Sequence, residues 1–300
     1  MPMTSSTFTE LLLDEQQKEI FGLRYDAFPT EFDKFFDVQT SQHAFEYFLE
    51  TFGFGLFQEI GEDVDIPMDR AGQSYKTTLT HLSYANGYDI TQDMIDDSQF
   101  NTISQLPADL ADSLGESKDT TGMDYLNNYA TNTTKDGAAL ISTAHKVSRT
   151  TGNFANRPAT PSSLSQSSME DDMIYVGRML SPAGRKKNYK LSNLLVPREL
   201  THQAEKLIES DKEPATNRNA INTVRGTRAV SSYMVSNYLT SASVYFYRTN
   251  IRGLMALVRK DMEFDSEKIK RRRKTEFYAY YRMVFGCYDP RSIWANGMAS

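Results

Sequence analysis

Cysteine is almost absent from this chain of 300 residues. Cys287 stands alone, so no disulfide can close within the chain, and the composition fits a reducing cytoplasm. Long apolar runs are absent as well. None approaches the ~20 residues that a membrane helix needs, which excludes a helical membrane-spanning protein. The opening residues, Met1-Pro-Met-Thr-Ser-Ser6, lack the basic and apolar stretches of a secretory signal, so export is not expected. Histidine is scarce: His43, His81, His145 and His202 fall in four separate predicted elements without ligand spacing, and neither a metal nor another cofactor is expected. No Gly-x-Ser-x-Gly elbow, Walker loop or Gly-x-Gly-x-x-Gly loop occurs, which removes the commonest sequence anchors for acyl transfer and nucleotide chemistry.

What is present is an ordinary globular composition, 39% hydrophobic and 24% charged, in a chain long enough for one large or two medium domains. The charge is unevenly placed. Residues 1–133 carry 24 acids against 6 bases, a net of -18, and the remainder carries 15 against 27, a net of +12, together giving the overall -6. Such asymmetry suits a self-assembling protein that pairs an acidic part of one copy with a basic part of the next. Nucleic-acid binding by the basic half is the competing reading, but its cations are dispersed except at Arg185-Lys186-Lys187 and Lys268-Ile-Lys-Arg-Arg-Arg-Lys274.

Periodicity predicts a short helix through Phe8, Leu11, Leu12 and Ile20 that stops near Pro29, then an extended arm. Phe28, Phe32, Phe35, Phe36, Phe45, Phe48 and their neighbours are too many aromatics for an arm to bury in itself, so burial across subunits is expected. Residues 56–92 read as a projecting polar hairpin around the turn-prone Gly61 to Gly72. A long helix is predicted from Pro107 to Thr131 with the stripe Leu110, Leu114, Thr121, Tyr125 and Tyr129, and a helical turn precedes it near Thr91. A helix over 162–179, a buried strand over 191–196, a helix over 198–210 and a polar loop over 211–228 follow. Strands are predicted at 229–235, 243–247 and 253–264. The alternating Phe277 to Phe285 strand and a short apolar strand after Asp289-Pro290 complete the chain.

Five motifs occur in a telling order: Tyr88-Asp-Ile-Thr-Gln-Asp-Met-Ile-Asp-Asp97, Asp136-Gly-Ala-Ala-Leu-Ile-Ser-Thr-Ala-His145, Asn193-Leu-Leu-Val-Pro-Arg-Glu-Leu200, Pro214-Ala-Thr-Asn-Arg-Asn-Ala-Ile-Asn222 and Phe285-Gly-Cys-Tyr-Asp-Pro-Arg-Ser-Ile-Trp294. Together they resemble the Mu-like major head subunit branch of bacteriophage capsid proteins with the HK97 fold. Departures from that pattern are Pro107, Lys146 and Asp289-Pro290. The resemblance implies an α+β fold with an N-terminal arm at 1–55, an extended loop at 56–90, a peripheral domain from 91–133 and 243–288, and an axial α/β domain from 134–242 and 289–300. It also implies a non-enzymatic major capsid protein. Such subunits form hexamers and pentamers that tile an icosahedral shell, built in the host bacterial cytoplasm with a separate scaffolding protein and a portal. The shell encloses double-stranded DNA without reading its sequence, and no membrane takes part.

Some relatives join a lysine of the extended loop to an asparagine of a neighbour. Lys76 is the only lysine of this hairpin and Met262 to Tyr288 holds no asparagine, so a non-covalent shell is expected. The basic run Lys268, Lys270, Arg271, Arg272 and Arg273 is implied to lie where three subunits meet, with Glu62, Asp63, Asp65, Asp69 and Arg70 of an adjacent loop as candidate contacts. Two alternatives remain: an encapsulin-like shell around protein cargo, and a hydrolase or metal enzyme using Asp136 and His145, the latter otherwise expected to satisfy backbone groups in a turn.

Overall fold

The computed structural model describes residues 5–97, 100–148, 152–210, 222–227, 230 and 232–298. In chain order the elements are α1 (Ser5–Ala27), α2 (Phe32–Phe35), β1 (Asp37–Thr40), β2 (Phe45–Phe52), β3 (Gly72–Thr80), β4 (Leu82–Thr91), α3 (Gln92–Asp96), α4 (Phe100–Asn127), β5 (His145–Lys146), β6 (Asn153–Phe154), α5 (Gln166–Gly177), β7 (Leu191–Pro197), α6 (Thr201–Glu209), α7 (Thr223–Thr227), β8 (Ser232–Ser236), β9 (Tyr245–Thr249), β10 (Leu254–Ile269), β11 (Lys274–Cys287) and β12 (Ile293–Asn296).

The alternation in the last long strand is real and sets the first sheet. Phe277, Ala279, Tyr281, Met283 and Phe285 of β11 are buried in turn, as the period of two requires. β10 pairs with β11 from Leu254 opposite Cys287 to Ile269 opposite Lys274. β1 joins β10 in parallel and β4 joins β11 antiparallel, giving the order β1-β10-β11-β4. The spine helix α4 packs on this sheet through Leu110, Leu114, Met123 and Leu126. It starts seven residues before Pro107, so the proline sits inside the helix, where the missing N–H costs about 3 kcal/mol that packing must offset.

The two glycines of α4 are explained by close approach. A Cβ on Gly115 would lie 2.4 Å from the Phe28 ring, and one on Gly122 would lie 3.0 Å from Phe285 and 3.2 Å from Phe32. Asp119 of α4 also accepts the backbone N–H groups of Glu31 (2.8 Å) and Phe32 (2.9 Å), satisfying the first turn of α2. Arg24 of α1 forms a two-pronged pair with Asp112 of α4, at 2.7 and 2.8 Å.

The second sheet has the order β12-β9-β7-β8, with β7 and β8 parallel and the other pairs antiparallel. Helix α5 starts at a capping box formed by Ser165 and Ser168, a few residues after the predicted start at 162. Leu195, Phe246, Ile293 and Ala295 of this sheet share one core cluster with Met123, Met283 and Phe285, so a continuous apolar interior links the two sheets.

Three readings of the sequence need correction. The hairpin pairs β2 with β3 across the long connection 53–71, and β4 leaves it to join the first sheet. Thus 45–52, read as arm, supplies one hairpin strand, and 82–91, read as hairpin, does not. β9, expected among the peripheral strands after Ser243, instead pairs with β7 and β12. The motif from Pro214 lies outside the described residues except for Asn222, whose side-chain amide donates to the Leu207 carbonyl at 2.7 Å.

Candidate intersubunit surface

The arm aromatics divide. Phe32, Phe35 and Phe36 are buried in the subunit's own core, edge-on to Phe285 or to one another, and Phe28 packs on Gly115. The expectation of burial across subunits therefore fails for Phe32, Phe35 and Phe36, because the spine helix already provides the surface they need. Phe45 is exposed, whereas Phe48 is half-buried and stacked on Tyr288 with ring centroids 4.7 Å apart.

Alternation along β2 explains the difference. Glu46, Phe48, Glu50 and Phe52 face one way, and Phe45, Tyr47 and Leu49 face solvent. Phe54, Leu56, Phe57, Ile60, Val64, Ile66 and Met68 extend the exposed apolar surface through the connection. Ten of the sixteen exposed large hydrophobic residues described thus fall between 45 and 68, a concentration that marks an interaction surface. The hairpin is polar only on β3, so its reading as polar overall is corrected: the apolar residues were credited to the arm or hidden among acids.

Acids are interleaved with this surface. Glu59, Glu62, Asp63, Asp65 and Asp69 against Arg70 give residues 53–71 a net of -4, five acids less one base. Asp69 closes the neck of the connection by accepting the N–H of Gly55 at 2.6 Å and of Arg70 at 2.8 Å. Glu62, Asp63, Asp65 and Arg70 are exposed. Asp63 has φ 63°, a left-handed backbone that asparagine and aspartate tolerate. The Lys76 ammonium lies 3.6 Å from the centre of the Tyr47 ring, a cation–π contact within the hairpin.

The basic run forms the turn from β10 to β11. Lys268, Lys270, Arg271, Arg272 and Arg273 are all exposed, and Arg273 is left-handed at φ 50°. The turn is partly neutralised by its own chain. Arg273 lies 3.6 Å from Asp93 and 3.9 Å from Asp96 of α3, and Lys274 reaches Asp89 at 2.9 Å and Glu276 at 2.7 Å. An open hollow of about 260 Å³ beside it is lined by Ile90, Ile95, Lys268, Lys270, Arg273 and Lys274, among others. Among the described residues Lys270, Arg271 and Arg272 form no ion pair with their own chain.

Asp136 and His145 do meet. The His145 Nδ1 lies 3.0 Å from Asp136 Oδ2, and the same carboxylate accepts the Thr134 hydroxyl (2.6 Å) and the backbone N–H groups of Lys146 (2.9 Å) and Ala138 (3.2 Å). Burial pushes the Asp136 carboxyl up, but the hydrogen bonds from His145, Thr134 and Lys146 outweigh it and hold it well below the usual carboxylate range. The histidine ring is bound to a carboxylate rather than to backbone groups in a turn, and it stacks on Phe154. Both side chains are sealed from solvent, at 0% and 1% exposure, which suits a structural knot and gives a substrate no access. Among the described residues no group of three or more His, Cys, Asp or Glu is arranged to hold a metal ion, and no helix is long and apolar enough to cross a membrane.

A spine helix across a sheet with a long two-stranded arm, a second mixed sheet and a projecting apolar hairpin define a shell-forming subunit. The phage capsid protein family matches residues 75–296, and the chain belongs to that family. No curated protein matches the sequence. The fold is similar to a chain of the procapsid of bacteriophage JBD30, at 13% identity and TM-score 0.54 over 99% of this chain and 77% of that one. It is also similar to Microbacterium phage Oxtober96, at 9% identity and TM-score 0.57 over 89% and 90%. A virus-like particle from Pyrococcus furiosus matches at 8% identity and TM-score 0.55 over 94% and 98%. The fold is HK97-like, and the protein is a structural phage capsid protein that assembles with its own copies into the virion shell.

Proposed function

We propose that this chain is a non-enzymatic major capsid protein of the Mu-like branch whose hexamers and pentamers close an icosahedral shell around double-stranded DNA. Assembly takes place in the host bacterial cytoplasm with a separate scaffolding protein and a portal, and the DNA is held without sequence-specific contacts. The first sheet with α4 serves as the peripheral domain and the second sheet with α5 and α6 as the axial domain. One observation carries this reading: ten apolar side chains between 45 and 68 are displayed to solvent on a hairpin that the body holds by its other face.

In the shell that surface lies on a neighbouring copy and supplies most of the cohesion. Burying one Leu or Phe side chain contributes about 1.5–3 kcal/mol, against about 0–1 kcal/mol for an exposed ion pair. Glu62, Asp63 and Asp65 face the cations Lys268, Lys270, Arg271 and Arg272 of a neighbour and set the register. Lys76 remains uncoupled, and the shell is non-covalent.

The test is expression of the chain alone, followed by electron microscopy and light scattering. Closed shells, tubes or isolated capsomers are the expected products. A monodisperse monomer that persists at high concentration and with a scaffolding protein would overturn the reading.

A further inference from the structure

Several contacts tie the hairpin to the body, among them the Ser41 hydroxyl, which donates to Glu46 at 2.7 Å while the Ser41 N–H donates to the Val258 carbonyl of β10. Phe48 stacks on Tyr288, and Leu79 of β3 covers Gly286 so closely that a Cβ there would lie 2.4 Å from Leu79 Cδ2. A further place is ionic. Glu50 of β2 is 3.2 Å from Arg291 Nη1 and 2.6 Å from Lys135 Nζ, and its second oxygen accepts the Ser148 hydroxyl.

This cluster is shut off from water. Side-chain exposure is 8% at Glu50, 2% at Lys135 and 0% at Arg291. Arg291 also pairs with Asp289 at 3.1 Å, donates from Nε to the Leu180 carbonyl at 2.7 Å, and lies 4.1 Å from the centre of the Phe154 ring. Lys135 is 3.7 Å from Asp289. Two acids balance two bases, and removing Glu50 leaves two buried cations on one carboxylate, a costly imbalance. A stacked ring can slide on its neighbour. A carboxylate shared by donors from residues 135, 148 and 291 has one geometry.

We propose that Glu50 is the positioning residue of the projecting hairpin: the Lys135, Ser148 and Arg291 donors fix its carboxylate, and so fix the direction in which residues 53–71 leave the body. The proposal rests on the reading that this segment meets a neighbouring copy. It adds a specific control on that contact, placed far along the sequence near the C-terminal turn. Glu50 touches no partner itself and acts through the hairpin.

The experiment compares the full chain with Glu50→Gln by hydrogen exchange of unassembled subunits, thermal unfolding and electron microscopy of assembled products. Amides of 45–52 and 72–80 should exchange about tenfold faster, those of β10 and β11 should not change, and open sheets or irregular particles should replace closed shells. Glu50→Asp, which restores the charge, should recover most of the protection. Unchanged hairpin exchange, equal acceleration throughout β10 and β11, or normal shells from a loosened hairpin would each overturn the proposal. Should Glu50→Gln not fold, Ser148→Ala removes one donor while leaving the four charges in place. It should then give a smaller acceleration in the same amides, and no acceleration there would also overturn the proposal. Normal shells from a Leu56→Ser, Phe57→Ser variant would defeat the neighbour-contact reading separately, because the exchange result does not depend on assembly.

Discussion

Two projections leave the body of this subunit, and they are finished differently. The β10–β11 turn is cationic, and its own chain answers part of that charge through Asp89, Asp93 and Asp96. The β2–β3 connection is apolar and acidic, and nothing in its own chain covers Phe57 or Met68, which are fully or almost fully exposed. The difference teaches how work is divided at such a surface. Charge can be satisfied locally and by water, so the turn is stable as it stands. Apolar area has no such recourse, and its burial is left to another molecule.

The largest test of this contrast is the Leu56→Ser, Phe57→Ser variant. Both side chains are exposed, so the subunit should unfold at an unchanged temperature while closed shells disappear, as seen by electron microscopy and light scattering. Each contact should lose several kcal/mol, summed over two large apolar groups.

A second test reads a pH effect that belongs to the body alone. Asp172 of α5 is buried against Asn296, whose amide donates at 3.1 and 3.2 Å. Burial raises its carboxyl from 3.8 to about 7, against the opposing hydrogen bonds. The folded state therefore holds this proton more tightly than the unfolded chain does. The resulting stability is fully present below about pH 4, falls as pH rises, and is gone above about pH 7, a span worth up to about 4 kcal/mol. Asp172→Asn should flatten that slope in denaturant titrations from pH 4 to 8.

The smallest effect should come from the turn itself. Arg271→Ala with Arg272→Ala should change shell stability by no more than about 1 kcal/mol per contact. Raising salt to 1 M, where the Debye length is ~3 Å, should weaken cohesion only slightly. Shells that dissolve in high salt while the Leu56, Phe57 variant assembles normally would invert the comparison. Since no covalent joining is expected, boiled shells should migrate as single chains of 34.1 kDa on a denaturing gel.

The sequence made the local elements readable. The period of two in 277–285, the apolar run before Pro197 and the helix after it stand close to where the structure has them. Long-range pairing was harder to read. β2 finds β3 only across residues 53–71, and its phenylalanines looked like arm because their partners on β3 are two threonines and a glycine. β9 joins β7 and β12, segments about 50 residues away on either side, and no local pattern records that choice. The cluster of Glu50, Lys135 and Arg291 escaped notice for a different reason. Single charged residues are ordinarily on the surface, and burial of three from distant segments leaves no spacing to detect. A lone arginine beside the apolar strand Ile293–Asn296 was the only available hint.

Cys287 closes β11 with its thiol buried and 3.6 Å from the Ser292 hydroxyl, and burial pushes the thiol up to about 12. Because the thiolate is the reactive form, this sulfur is silent toward maleimides and iodoacetamide at neutral pH. The wild-type chain is thus a blank background for site-directed labelling. A cysteine placed at the exposed position 59 would be the sole reactive thiol among the described residues. A fluorophore or spin probe attached there would report when a neighbour arrives, with no need to remove the native cysteine first.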